Sequence, residues 1–124
     1  MSEIKSFRDI KAWQIAMRLC RRIYEATQSF PSDERFGLTN QMRRGAVAVP
    51  SNMAEGYGRQ STHDYMRFLR IARGCLYELD TQAELAEQLR FLPAEVHAEL
   101  SDMISECGKT LAGLIRSLEI RGTN

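Results

Sequence analysis

Four stretches of apolar residues, each recurring at three- and four-residue steps and parted by breaks of only a few residues, constrain this chain more than any other feature. That recurrence is the period of one face of an α-helix, and no alternating β-branched run competes with it. The first stretch, residues 9–28, carries Ile10, Trp13, Met17, Cys20 and Tyr24 on one stripe. The second, residues 33–57, carries Leu38, Met42, Ala46, Val49, Met53 and Tyr57. The third runs from Ser61, with a stripe of Tyr65, Phe68, Leu69, Ala72, Cys75, Leu76, Leu79, Ala83, Ala86 and Leu89. Pro93 opens the fourth, whose stripe is Val96, Leu100, Met103, Ile104, Cys107, Leu111, Leu114, Ile115 and Leu118. Breaks this short make consecutive helices antiparallel neighbours, so the expected fold is all-α, an up-down four-helix bundle in one domain over residues 1–124.

The breaks have their own chemistry. Pro31 pushes Phe30 out of helical space, and Ser32 is a candidate N-cap ahead of Asp33 and Glu34, whose charges suit a first turn. Ser61 with Asp64 reads as a capping box for the third helix. Gly56 and Gly58 are expected to end the second. Pro50 lies inside that helix, where it removes one backbone donor and crowds the Ala46 carbonyl, so a kink or interruption is expected there. Ser51 and Asn52 stand beside the break with donors for that carbonyl, and Glu55 is spaced for an ion pair with Arg59. Pro50, Asn52, Glu55 and Gly56 are thus read as one structural motif.

No apolar run approaches the roughly 20 residues that span a bilayer, and charges from the third residue onward leave no signal-peptide core. The expected location is the cytoplasm. Cys20, Cys75 and Cys107 are odd in number and widely spaced, with no C-x-x-C pair, so buried free thiols are expected in preference to disulfides or zinc.

Catalytic patterns are absent from the sequence. Gln60 and Ala94 occupy the positions three before His63 and His97, where a di-iron bundle would place glutamates. Phosphate-binding and nucleophile-elbow motifs do not occur, and the Gly-Tyr-Gly at residues 56–58 is too short to cradle a phosphate. Glu84 and Glu87 read as a solvated face. A phosphotransfer role for His63 is the third reading, weakened because Met66-Arg67 stands where such domains place Lys-Gly. The expectation is no enzyme activity, no cofactor and no metal.

Charge carries the remaining information. Residues 35–73 hold seven arginines against Glu55 and Asp64, a net of +5, whereas residues 74–107 hold Arg90 against eight acids, a net of −7. A helix macrodipole favours the reverse order along the third helix, so helix stability does not explain the arrangement. Either the two ends meet between subunits or neighbouring helices, or the basic end faces phosphate. On the second reading Arg43, Arg44, Arg59, Arg67 and Arg70 are the nucleic-acid-binding residues. The apolar arc of the second helix, extended by Val47, Pro50 and Ala54, is wider than one bundle seam requires. Opposite it runs a stripe of Gln41, Arg44, Ala48, Asn52, Glu55 and Arg59. That pairing points to a second packing surface, hence an oligomer.

The residues Phe36-Gly37-Leu38, Gln41, Arg43-Arg44, Pro50-Ser51-Asn52, Ala54-Glu55-Gly56 and Arg59 follow an order that continues in Phe68-Leu69, Ala72, Gly74 and Glu78-Leu79. With Trp13-Gln14, Ala16 and Phe30-Pro31 upstream, the chain resembles, over most of its length, the four-helix-bundle proteins encoded in intervening sequences of large-subunit ribosomal RNA genes. Gly45, Ala48 and Cys75 depart from the usual Ala, Ser and Ser, small for small. The resemblance implies a cytoplasmic bacterial protein that forms ring-like homopentamers and has no enzyme activity. It extends distantly to the accessory protein of diversity-generating retroelements, a basic pentameric barrel that binds nucleic acid and a reverse transcriptase. The expectation is therefore a homo-oligomer, a pentamer first, that binds structured RNA or a ribonucleoprotein. A protein-interaction scaffold without nucleic-acid affinity is the alternative.

Overall fold

The computed structural model describes residues 3–122. Four helices make up most of it: α1 (Lys11–Thr27), α2 (Leu38–Tyr57), α3 (Thr62–Gln88) and α4 (Ala94–Gly122), with single 3₁₀ turns at Phe7–Asp9 and Ser32–Glu34. Each helix packs on its neighbour in sequence and α4 closes on α1, while among the described residues no diagonal pair of helices brings its backbones close, so the four stand as the edges of a square. Cross-helix contacts give the directions. Arg22 meets Glu99 while Ala12 meets Cys107, so α1 and α4 run oppositely. Gly56 lies against Phe68 and Gly45 against Gln82, so α2 and α3 do too. The all-α architecture of four helices is as expected.

The core is a layered stack of buried aliphatic side chains, including Ile15, Leu19, Ile23, Met42, Met53, Leu69, Leu79, Leu100 and Leu111. On α2 and α4 it follows the sequence stripes closely. On α1 it does not. The buried line is Ala12, Ile15, Ala16, Leu19, Ile23 and Ala26, whereas Trp13, Met17 and Cys20 are half-buried and Tyr24 is 41% exposed. That helix has two apolar stripes side by side, and periodicity alone does not say which faces inward. Leu89, read as the last core position of α3, is 49% exposed.

Several local expectations need correction. α2 starts at Leu38, not near residue 33, because residues 32–34 form a separate 3₁₀ turn and Ser32 caps nothing. The Leu38 N–H is met instead by Glu34 Oε1 at 3.0 Å. α2 runs unbroken through Pro50, which is buried. Asn52 does donate to a carbonyl, but to that of Ala48 at 2.8 Å and not that of Ala46. A short amide side chain reaches the carbonyl one turn back on its own face more readily than one six residues away. Ser61 caps α3 by accepting from the Asp64 N–H at 3.0 Å, with the Asp64 carboxylate turned to Arg67. α3 ends with Arg90 in the left-handed region, φ 64°, and the Phe91 N–H returns to the Ala86 carbonyl at 2.8 Å. Only Cys107 is a fully buried thiol, and burial pushes it up to about 12; Cys20 and Cys75 are half-buried, raised by the same desolvation.

Candidate nucleic-acid interface

Gly56 makes the site possible. It is the penultimate residue of α2, which ends at Tyr57 with Gly58 as its C-cap, as expected, and it stands where α2 and α3 converge toward their connecting turn. A Cβ on it would stand 2.7 Å from Phe68 Cβ and 3.1 Å from the Tyr65 carbonyl oxygen. Without a side chain, α2 closes onto α3, and Tyr57 meets Tyr65 edge to face with ring centroids 6.0 Å apart. Burial, with a smaller contribution from Tyr57, pushes the Tyr65 hydroxyl up to about 12.

Two arginines converge on this corner. The Arg59 guanidinium lies 4.7 Å from the centre of the buried Phe68 ring, and the Arg67 guanidinium lies 4.6 Å from it. One comes from the turn after α2 and the other from the second turn of α3, so the ring serves as a shared platform for both cations. Each also has a local acid: Arg59 Nη2 donates to Glu55 Oε1 at 3.1 Å, and Arg67 Nε to Asp64 Oδ1 at 3.4 Å. Both pairs are largely exposed, the class of ion pair worth well under about 1 kcal/mol. A phosphate can therefore displace the carboxylates without disturbing the fold. Arg70, one turn on, donates from Nη2 to Glu119 Oε2 of α4 at 3.2 Å.

The five arginines read from the sequence do not form one patch. Arg59, Arg67 and Arg70 are together. Arg44 is exposed but fifteen residues before Arg59, about 20 Å along the bundle. Arg43 is engaged within the fold: Nε donates to Thr27 Oγ1 at 2.8 Å, Nη2 to the Tyr24 carbonyl at 3.2 Å, and the guanidinium covers the Tyr24 ring at 4.7 Å. It closes the carbonyl end of α1, where a cation also suits the helix dipole. Cations that sequence order did not group, Lys11, Arg116 and Arg121, come to the same end of the bundle through the antiparallel course of α1 and α4. The signal for them is topological: a charge count along the chain misses residues that only the up-down path makes neighbours. Pro50, Asn52, Glu55 and Gly56 sit along α2, where Asn52 serves the Ala48 carbonyl and not the expected break at Pro50, and Glu55 accepts from Arg59.

Other chemistry is sparse. His63 is exposed in the first turn of α3, whereas His97 is half-buried with its Nε2 lacking a hydrogen-bond partner. Among the described residues no three His, Cys, Asp or Glu side chains are placed to hold a metal, and no helix is long and apolar enough to cross a membrane.

Comparison with known proteins agrees with this architecture. No curated protein matches the chain. A solved structure of a protein of unknown function from the S23 ribosomal protein family of Bacteroides thetaiotaomicron VPI-5482 superposes with a TM-score of 0.78 at 20% identity, over 85% of this chain and 95% of that one. At that identity the likeness speaks for the fold. The family model of the 23S rRNA-intervening sequence protein matches residues 8–113, which takes in all of α1, α2 and α3 and most of α4. The chain belongs to the 23S rRNA-intervening sequence protein family.

Proposed function

We propose that this protein is a cytoplasmic, non-enzymatic, homo-oligomeric bundle that binds structured RNA, alone or within a ribonucleoprotein, through the α2–α3 corner. The observation that carries the reading is the pair of guanidiniums of Arg59 and Arg67 held over Phe68, with Arg70 beside them and only weak, exposed acids to displace. Arginine presents fixed forks of donors that match phosphate oxygens, and a ring platform orients them before RNA arrives. Each phosphate neutralised releases counterions, which drives binding irrespective of base sequence. Repetition of the corner around an oligomer, a pentamer first, multiplies the contacts by effective concentration.

Fluorescence anisotropy with a structured RNA hairpin tests this. Arg67→Glu with Arg70→Glu is expected to weaken binding at least tenfold, with helicity and mass in solution unchanged. Equal affinity for the double variant and the parent contradicts the assignment. The second reading, a scaffold that binds protein only, is favoured by the exposed apolar side chains of Val47, Ile71, Leu85 and Leu89, and absence of RNA binding at low salt would establish it in preference.

A further inference from the structure

The apolar residues that the fold leaves outside the core are not scattered. On α1, Trp13, Met17 and Cys20 join Val47, Pro50 and Ala54 of α2 along a groove of about 340 Å³ between the two helices. Val47 is 42% exposed and also lines the adjoining groove, with Arg18, Arg21, Arg22 and Tyr24 and one acid, Glu25. On α3, Ile71, Glu78, Gln82, Leu85 and Leu89 recur at heptad steps. Gln82 lies against Gly45, so this second stripe borders α2. Leu85 is 45% exposed. The charges are opposite. α1 carries Lys11, Arg18, Arg21 and Arg22 against Glu25, whereas residues 74–89 carry Glu78, Asp80, Glu84 and Glu87 with no cation.

We infer that the α1–α2 groove of one copy receives the Glu78–Leu85–Leu89 stripe of α3 from a second copy, head to tail. This rests on the homo-oligomeric reading above and says which faces meet. A groove meeting a groove would set Arg18 and Arg21 against themselves, and a stripe meeting a stripe would oppose Glu78 and Glu84 to their like. Only the unlike pairing buries apolar surface and matches charge together. Both faces share α2, so they stand about a quarter-turn apart in a square bundle, and repeating the contact curves the assembly toward a closed ring without free ends.

Unlike pairing has a signature that like pairing cannot imitate. Val47→Glu disables only the groove and Leu85→Glu only the stripe, and both positions are exposed enough for the helices to persist, checked by circular dichroism. Light scattering after gel filtration is expected to give each variant alone a single-chain mass of 14.2 kDa. An equal mixture is expected to give a one-to-one heterodimer, because the intact stripe of the first fits the intact groove of the second. Leu89→Glu in place of Leu85→Glu is expected to behave the same way. A mixture that stays monomeric, or assembly lost in only one variant, overturns the face assignment while leaving oligomerisation standing. A parent protein that runs as a monomer overturns both.

Discussion

Gly56 and Gly113 are both helical glycines, yet they answer opposite demands. A methyl group on Gly56 meets Phe68 Cβ and the Tyr65 carbonyl, neither of which is the loose end of a flexible side chain, whereas nothing lies within 4 Å of where a Gly113 Cβ would stand. Alanine improves helix propensity by about 1 kcal/mol at either position. At Gly56 the overpacking penalty of roughly 1–3 kcal/mol exceeds that gain. Urea denaturation is therefore expected to show Gly56→Ala destabilised by up to about 2 kcal/mol and Gly113→Ala stabilised by up to about 1 kcal/mol. Arg43 belongs to the same scale. Its hydrogen bonds to Thr27 and the Tyr24 carbonyl hold the end of α1, so Arg43→Ala is expected to lower stability by about 1–2 kcal/mol and leave RNA affinity unchanged. Loss of affinity at full stability would return Arg43 to the binding surface.

At the scale of elements, four helices and their order were legible because each buried face repeats at helical steps over several turns. α1 was misread because Trp13–Met17–Cys20–Tyr24 and Ile15–Leu19–Ile23 are equally periodic, and the larger side chains mark the outer stripe. The α2 start was misread because Asp33 and Glu34 are first-turn residues of a 3₁₀ turn whose glutamate reaches forward to cap the helix after it. The pairing of α1 with α4 through Arg22 and Glu99 was invisible, since the partners lie 77 residues apart. Two hydrogen bonds of 2.9 Å join them. Chiefly through the Arg22 hydrogen bond, the Glu99 carboxyl is held below its ordinary value, so its stabilising effect is complete above the unfolded carboxylate value and is lost as pH falls through the lowered folded one. The difference in melting temperature between the parent and Glu99→Gln is accordingly expected to be full at neutral pH, to begin shrinking as pH falls to the ordinary carboxylate value, and to vanish only at pH well below it. A difference that persists undiminished at lower pH would mean that the side chain stabilises by packing.

For the whole molecule, folding carries over only part of the charge segregation of the sequence. The α2–α3 corner, the start of α1 and the end of α4 gather cations at one end, and the second half of α3 with the first half of α4 gathers acids at the other, where Arg35, Arg43 and Arg44 near the start of α2 and Arg18, Arg21 and Arg22 of α1 also lie. Of the proposed site, the sequence disclosed the arginines of the corner but neither their shared ring nor the internal role of Arg43, because both depend on contacts across helices. If the basic end neutralises RNA phosphates, the salt dependence of RNA affinity reports it. With Arg59, Arg67 and Arg70 each contacting one phosphate, the log–log slope of affinity against salt is expected to be about −2 or steeper, each contact contributing roughly 0.7–0.9. Arg67→Glu with Arg70→Glu is expected to flatten it by at least about 1.4. A slope near zero, or a slope that the double substitution leaves unchanged, would contradict the account.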